Sequence, residues 1–472
     1  MPRRPPGPRG LPLIGSLPAF ARDPLGFLEH TSRVHGDLTY VELGDGGVFF
    51  PAHPDDIEAV LVGAYKHCIK DEITRVLEYV LGRGLLTNEG ESWKTQRKLA
   101  APLFTRRHIA GYADAMVDHA DRCCASLVER GGSDDLHHEF ASLTLEIVVD
   151  TLFGSGTRDH ALIAEQLEVM MASFQTYAQT WQRILPRWLP TPNKRRLDRA
   201  VERLDEALFR IIAERRAHDR AAPDRVGDDL LARLLAAREA DESGHASATG
   251  MSDRQLRDEA LTMIVAGHET TALTLTYALR ELGRRGELLG LARAEVDRVL
   301  ADRPARADDF EALPFLSALV DEALRLYPPA WAIGREAIEP FELRGYTIGV
   351  GDAVIMSAWV VHRDPRWWPK PTSFEPRRWL EPAPERPRFA FFPFGGGPRI
   401  CIGNHFAKLE AVLILATMVQ KLEFTIGEPP LGLDLQPAVT LRPIQPLPLR
   451  VRQRASSSRI AASSFAASSD VS

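Results

Sequence analysis

The ten residues Phe394-Gly-Gly-Gly-Pro-Arg-Ile-Cys401-Ile-Gly403 place one cysteine on a glycine-rich loop directly before an apolar helical run. Cysteine is a strong metal ligand only as the thiolate, which nearby backbone N–H donors and a helix N-terminus both favour. Gly395, Gly396 and Gly397 let the backbone turn sharply and approach a flat group, and Gly403 keeps side-chain bulk away from the metal. Phe406, Leu409, Ala411, Val412, Ile414, Leu415 and Met418 recur at helical spacing, so Cys401 sits just before a helix start. Hydrogen bonds to its sulfur would tune the metal. Thiolate donation to a heme iron favours O–O cleavage, and a heme iron is the metal this setting suits.

Three further constellations share the chain with that loop. Ala266-Gly267-His268-Glu269-Thr270-Thr271 lies inside the longest apolar helical stretch, where Thr and Gly are poor choices unless something requires them. Thr270, Ala266 and Thr262 or Met263 fall on one face of that helix. Glu322-Ala-Leu-Arg325 puts opposite charges on one helix face, just before Tyr327-Pro328-Pro329. Trp93-Lys-Thr-Gln-Arg97 supplies an arginine, and Arg335 and Arg399 supply two more forks of the kind that suit carboxylates. Taken singly, each of these is an ordinary helix, surface pair or surface arginine.

Together the motifs resemble those of the cytochrome P450 family, and the resemblance runs from the proline-rich opening to the last strand-like text. Phe394, Gly397, Arg399, Cys401 and Gly403 carry its F-x-x-G-x-R-x-C-x-G signature. The resemblance implies heme b with Cys401 as axial ligand. It places Arg97, Arg335 and Arg399 at the propionates and Trp93, Phe394, Gly403 and Ala266 against the cofactor. Thr270 is implied to position dioxygen and its water, and Glu269 to feed protons from solvent. Ala266 and Gly267 are expected to leave room for dioxygen, and a locally opened helix to hold a water. The family often has Asp where this chain has Glu269, and His268 reads as packed or solvated. Glu322 and Arg325 are implied to form a buried ion network with Arg378, from Phe374-Glu-Pro-Arg-Arg378-Trp379, that holds the cysteine loop. Leu85, Leu86, Met263, Ala266, residues 330–333, Val439 and Thr440 are implied to face the substrate, with Trp331 narrowing the site.

The implied activity is that of a soluble, bacterial-type monooxygenase. One oxygen atom of O2 enters a largely apolar small molecule, fatty acyl, terpenoid or polyketide-like, and the other is reduced to water. Electrons are expected from a ferredoxin and its reductase or another external donor, since no flavin or Fe–S segment is visible. Lys94, Arg97, Lys98, Arg399 and Lys408 flank the expected docking side. A peroxide-driven or redox-neutral heme-thiolate enzyme is the alternative, against which the intact Glu269-Thr270 pair speaks. A non-enzymatic heme sensor would need a signalling domain for which the chain has no room.

The elements that must position these residues read as mainly α with a minor β region. The heme is expected between the long oxygen-activating helix and the cysteine-loop helix. A single domain is expected over 1–453, and a disordered Ser/Ala-rich tail over 454–472. Leu38–Leu43 and Gly47–Phe50 alternate like strands around Gly44-Asp-Gly-Gly. Helical text covers Ile109–Glu129, Asp135–Leu152 and Leu162–Ile184, breaks at Pro186–Pro192 and resumes over Arg195–Ala217. Asp241–Gly250 reads as a polar surface loop, and Ser252-Asp-Arg-Gln255 as a capping box that opens the long helix through Leu279. A further helix is expected over Pro314–Leu326, and strand-like text over Ala330–Val354 and Leu422–Val451.

The 472 residues carry a net charge of -6, and no basic stretch is interleaved with aromatics, so nucleic-acid binding is not expected. Cys68, Cys123, Cys124 and Cys401 include no CxxC pair, which fits a reducing cytoplasm. No apolar run at the N-terminus approaches the roughly 20 residues that span a bilayer. A cytoplasmic monomer without a membrane anchor is the expectation.

Overall fold

The computed structural model describes residues 4–44, 46–154, 159–179, 191–221, 229–236, 238–240, 246–382, 385–427 and 432–455. Its principal helices are α1 (Gly90–Ala100), α2 (Ala113–Arg130), α3 (Leu136–Phe153), α4 (His160–Gln179), α5 (Pro192–Ala221), α6 (Leu230–Ala236), α7 (Asp253–Arg284), α8 (Gly286–Leu300), α9 (Pro314–Leu326) and α10 (Asn404–Lys421). The main sheet contains β1 (Leu38–Leu43), β2 (Gly46–Pro51), β3 (Cys68–Lys70), β4 (Ile333–Ala337) and β5 (Ala353–Met356) in the order β1-β2-β5-β4-β3. Only β2 and β5 run parallel. A two-stranded hairpin of β6 (Leu435–Pro437) and β7 (Leu441–Pro443) lies near the C-terminus. The mainly α reading with a minor β region is therefore correct.

The 32-residue helix α7 organises the molecule. Its start is fixed by the capping box read from the sequence: Gln255 N–H donates to Ser252 Oγ, and Ser252 N–H donates to the Gln255 side chain. At 1.5 Å per residue it is about 48 Å long. Its first half, Leu256 to Ile264, is buried in one apolar core with the C-terminal half of α3 and with α4, α5 and α6. Its second half, Ala272 to Leu282, belongs to another core with α2, α8, α9 and α10. Between the halves, Ala266 is exposed and Gly267 and Thr270 are half-exposed, although nearly every other residue from 256 to 282 is buried.

Two expectations about elements need correction. Residues 246–250 are not loop: Ala246–Gly250 pairs antiparallel with Arg238–Ala240. A backbone ladder needs no apolar face, so small polar residues can form it. The helical text over Ile109–Glu129 is two helices, because Arg106–Ala110 ends at Gly111 and α2 restarts at Ala113. Most of the proline break and the Ser/Ala tail from 456 onward lie outside the described residues. No described helix is long and apolar enough to cross a membrane.

Candidate functional site

All four cysteines are free; Cys68 and Cys124 are buried, Cys123 is half-buried and Cys401 is exposed. Burial pushes the Cys68 thiol up to about 11 and that of Cys123 to about 12, and raises Cys124 further. Cys401 is exposed at the mouth of its loop, directly before α10, whose N-cap is Gly403. Its own N–H donates to the Phe394 carbonyl at 2.9 Å and closes the loop. Surrounding protein raises its pKa, against which the Gly403 N–H and the Arg97 guanidinium both favour the thiolate. The glycines answer to protein neighbours as well as to a flat ligand. Gly397 has φ +63°, and a Cβ there would sit 2.1 Å from the Leu61 carbonyl oxygen.

Four cations gather beside that loop. Lys70 is buried and lies across the β3–β4 ladder from Arg335. Burial lowers its pKa well below the ordinary value, and Arg335, Arg399 and Arg97 lower it further. Burial also lowers Arg97 and Arg335. Arg399 stacks over the buried Trp93 ring at 3.7 Å, donates to the Asn88 carbonyl at 2.8 Å and pairs with Glu89. Its fork, expected at a propionate, is thus engaged by a protein carboxylate. Glu89 and Asp71 are the acids at hand, so the group of four carries an excess of positive charge. Buried cations that raise one another's cost call for an anion, and a ligand with two carboxylates supplies it. Neither Lys70 nor Glu89 sits in a motif that would have marked it.

The oxygen-activation motif splits between two sides of α7. Thr270 turns toward the open face with Ala266, and its hydroxyl donates to the Ala266 carbonyl at 2.8 Å. The helix is continuous there, contrary to the expected local opening. Gly267 faces α3, where a Cβ would meet Val148 at 3.3 Å, so its smallness serves helix packing. His268 is buried and bonds the Ile264 carbonyl at 2.7 Å, as a packed residue should. Glu269 turns away from the open face. Its Oε1 lies 2.6 Å from Arg442 and 3.5 Å from His137. Burial raises its pKa, but His137 and Arg442 outweigh burial and pull it down to about 2. Thr440, expected to face substrate, is buried with its hydroxyl toward Glu269 at 3.4 Å. Trp331 donates from Nε1 to the Ala438 carbonyl at 2.9 Å and packs against the small core of Leu28, Phe50, Ala52 and Val360. It therefore pins the β6–β7 turn from the side.

The ion network beneath the loop is present as expected. The fully buried Glu322 carboxylate accepts from Arg325 Nε and Nη2 at 2.9 and 2.8 Å, and from Arg378 Nε at 3.1 Å. Trp379 Nε1 and the Glu375 N–H add bonds of 2.9 and 2.8 Å. Arg325 also donates to the carbonyls of His362, Pro371 and Ser373. His362 in turn accepts from the Phe392 N–H at 2.9 Å, two residues before Phe394. Buried hydrogen bonds thereby connect α9 to the cysteine loop through His362. Of the cations expected at a docking face, Lys94 pairs with Glu91, Arg399 with Glu89 and Lys408 with Asp321.

An exposed thiol on a glycine-rich loop, a cation cluster with an excess of positive charge and an open helix face fit a flat, dianionic metal macrocycle. The wider comparisons agree. The family model for cytochrome P450 matches residues 5–449. Cyclooctatin synthase of Streptomyces melanosporofaciens is 36% identical over 87% of this chain and 88% of its own. Cyclooctat-9-en-7-ol 5-monooxygenase of the same organism is 34% identical over 88% of each chain. Pentalenene oxygenase of Streptomyces avermitilis is 31% identical over 94% of this chain and 96% of its own. The chain belongs to the cytochrome P450 family.

Proposed function

We propose that the protein is a heme-thiolate monooxygenase that hydroxylates an apolar, terpenoid-sized small molecule with electrons from a separate donor. The observation that carries this is the open face of α7, where Ala266 and Thr270 are accessible within an otherwise buried helix that packs against the cysteine helix α10. Bound heme supplies the redox centre for dioxygen cleavage. Cys401 holds it through sulfur, supported by the Gly403 N–H, while Arg97, Arg335 and Lys70 neutralise its carboxylates. Thr270 spends its proton on the Ala266 carbonyl and so presents oxygen lone pairs to the open side, where they accept a proton-bearing partner such as water. Glu269 stays ionised on Arg442 and His137 and stores no proton of its own. Its part is to hold those two groups at the helix, so that protons pass along water that they orient. Leu85, Leu86 and Met263 belong to one apolar core and offer hydrocarbon contact to a substrate.

The relatives' names favour this substrate class, since they act in the oxidation of pentalenene and of cyclooctat-9-en-7-ol. The test is a heme-loaded preparation with a surrogate ferredoxin and reductase. The ferrous carbon monoxide complex should show the red-shifted band of a thiolate-ligated heme, and Cys401→Ser should abolish it. A band that survives in Cys401→Ser overturns the assignment. Terpene hydrocarbons should shift the heme spin state and yield hydroxylated products with NADPH, whereas sugars and nucleotides should do neither.

A further inference from the structure

The first 22 residues hold four arginines, Arg3, Arg4, Arg9 and Arg22, and no acid, although the whole chain has a net charge of -6. The same stretch carries four of the fifteen exposed large apolar side chains among the described residues: Leu11, Leu13, Ile14 and Leu17, at 58, 95, 43 and 44% exposure. Single exposed aliphatics are ordinary on a protein surface. Four within seven positions form a patch, and a patch calls for a partner.

The backbone holds the patch out. Leu11 and Gly15 exchange N–H···O bonds of 2.8 and 2.9 Å, which closes a turn over Pro12-Leu13-Ile14. The turn is fastened to the end of β1: the Ser16 N–H donates to the Glu42 carbonyl at 2.7 Å, and the Gly44 N–H to the Ile14 carbonyl at 3.1 Å. Gly15, at φ +59°, approaches that strand so closely that a Cβ would sit 2.3 Å from the Glu42 carbonyl oxygen. Upstream, the Tyr40 N–H donates to the Pro6 carbonyl at 3.1 Å. Leu13, at the tip, has φ +69°, a left-handed conformation that is costly for leucine and that Gly or Asn takes more readily. A loose segment is free to tuck its leucines against the core, but this one is pinned on both sides with them in solvent.

Charge completes the surface. Arg9, two residues before Leu11, is exposed, and so is Arg22, which ends the short helix Leu17–Arg22 that follows the turn. The acids at its border are engaged: Asp23 accepts from the Gly26 N–H at 3.0 Å, and Glu42 faces Arg4 at 3.4 Å. We propose that the 11–15 turn, with Arg9 and Arg22 beside it, docks the protein reversibly on an anionic lipid bilayer. The aliphatic tip enters the boundary between headgroups and acyl chains, and the guanidinium groups meet lipid phosphates. The contact is peripheral, since no described helix can cross a membrane. A few side chains and two arginines give weak, salt-sensitive binding, unlike that of an inserted helix. Docking brings an enzyme read as acting on apolar molecules to the phase in which they dissolve, but it does not rest on that reading.

The test is co-sedimentation of the heme-loaded full-length protein with vesicles of equal parts phosphatidylglycerol and phosphatidylcholine. The protein should bind these vesicles, and binding should fall about fivefold or more on pure phosphatidylcholine or in about 0.5 M salt. Leu13→Asn removes the apolar tip while suiting the backbone, and should weaken binding about tenfold. Arg9→Gln combined with Arg22→Gln should weaken it about tenfold or more. Val350→Asn, at a site that is 69% exposed in another turn, should change nothing. The ferrous carbon monoxide band on the same samples reports that each variant is folded. Failure to bind the mixed vesicles, binding indifferent to Leu13→Asn, or equal losses in Leu13→Asn and Val350→Asn overturns the proposal. A dimer in lipid-free solution that Leu13→Asn dissolves, without vesicle binding, assigns the patch to a second copy of the chain and overturns it as well. Each of these outcomes leaves the heme-thiolate reading standing, because the measurement uses neither substrate nor turnover.

Discussion

Glu322→Gln removes the charge at the centre of the network under the cysteine loop while keeping the side chain's shape. In the native protein the carboxylate receives five donors from Arg325, Arg378, Trp379 and Glu375, all within 3.1 Å. Glutamine offers one oxygen in place of two, and its amide hydrogens meet donors. At least two of the bonds are lost, and the fully buried Arg325 guanidinium is left without a counter-ion. Breaking a buried pair from one side costs about 3–5 kcal/mol, against a total stability of about 5–15 kcal/mol for a typical protein. Glu287 provides the control. It pairs with Arg377 at 2.7 Å, but its side chain is 72% exposed, so Glu287→Gln should cost about 1 kcal/mol or less. Urea unfolding followed by fluorescence, with the carbon monoxide band as a probe of the loop, compares the two variants. Glu322→Gln should unfold at markedly lower urea and lose the thiolate band before global unfolding. If both variants shift equally, or Glu322→Gln moves by less than about 1 kcal/mol, the brace does not hold the loop.

Thr270→Val removes the hydroxyl while preserving shape, so NADPH consumption should persist while product per NADPH falls and peroxide rises; unchanged coupling would exclude the role given to Thr270. Glu269 titrates at about 2 in the folded protein against an ordinary 4.5, so its stabilisation is complete above about pH 5 and is lost as pH falls through 2. Arg442→Leu should therefore cost about 1–3 kcal/mol near neutrality and move the acid limb of a stability–pH profile upward, whereas an unmoved limb would show that Arg442 does not set this carboxyl. Gly397→Ala forces a Cβ against the Leu61 carbonyl at φ +63° and should abolish cofactor retention, while Gly286→Ala, with nothing within 4 Å, should be neutral by the same measure. Because Lys94, Arg399 and Lys408 are paired with acids, reduction by an acidic ferredoxin should slow only about threefold between 0.01 and 0.15 M salt; a fall of a hundredfold would mean a stronger basic surface guides docking.

What the sequence made legible is what short-range pattern encodes. The Cys401 loop, the capping box at Ser252 and the Glu322–Arg325 pair depend on residues within a few positions of one another. Arg378 was placed correctly because it also belongs to a short motif. Partners chosen by tertiary approach were not legible. Arg442 and His137 reach Glu269 from other elements, and Glu89 takes Arg399 from 310 residues away. Spacing marks none of these pairings, because the encounter is set by how helices cross. The same holds for Glu410, a fully buried acid on α10 whose pKa burial raises to about 8 against a hydrogen bond from Thr271. Gly267 shows the converse failure: its type was informative, but the neighbour it accommodates is Val148 on α3.

The passage of α7 through two separate apolar cores bears on how the molecule opens. Each core is a potential cooperative unit with its own opening free energy, and α7 runs through both, as α3 beside it does. Amides of Leu256 to Ile264 should exchange with the α4–α5 layer, and those of Ala272 to Leu282 with α9 and α10, on different time courses. The accessible turn at Ala266 to Thr270 is then a seam, where one unit can yield while the other stays closed. A molecule lodged at the seam touches both units and makes each pay for the other's release. Occupancy would thus be legible as a merging of two exchange rates into one, even where no backbone atom has moved.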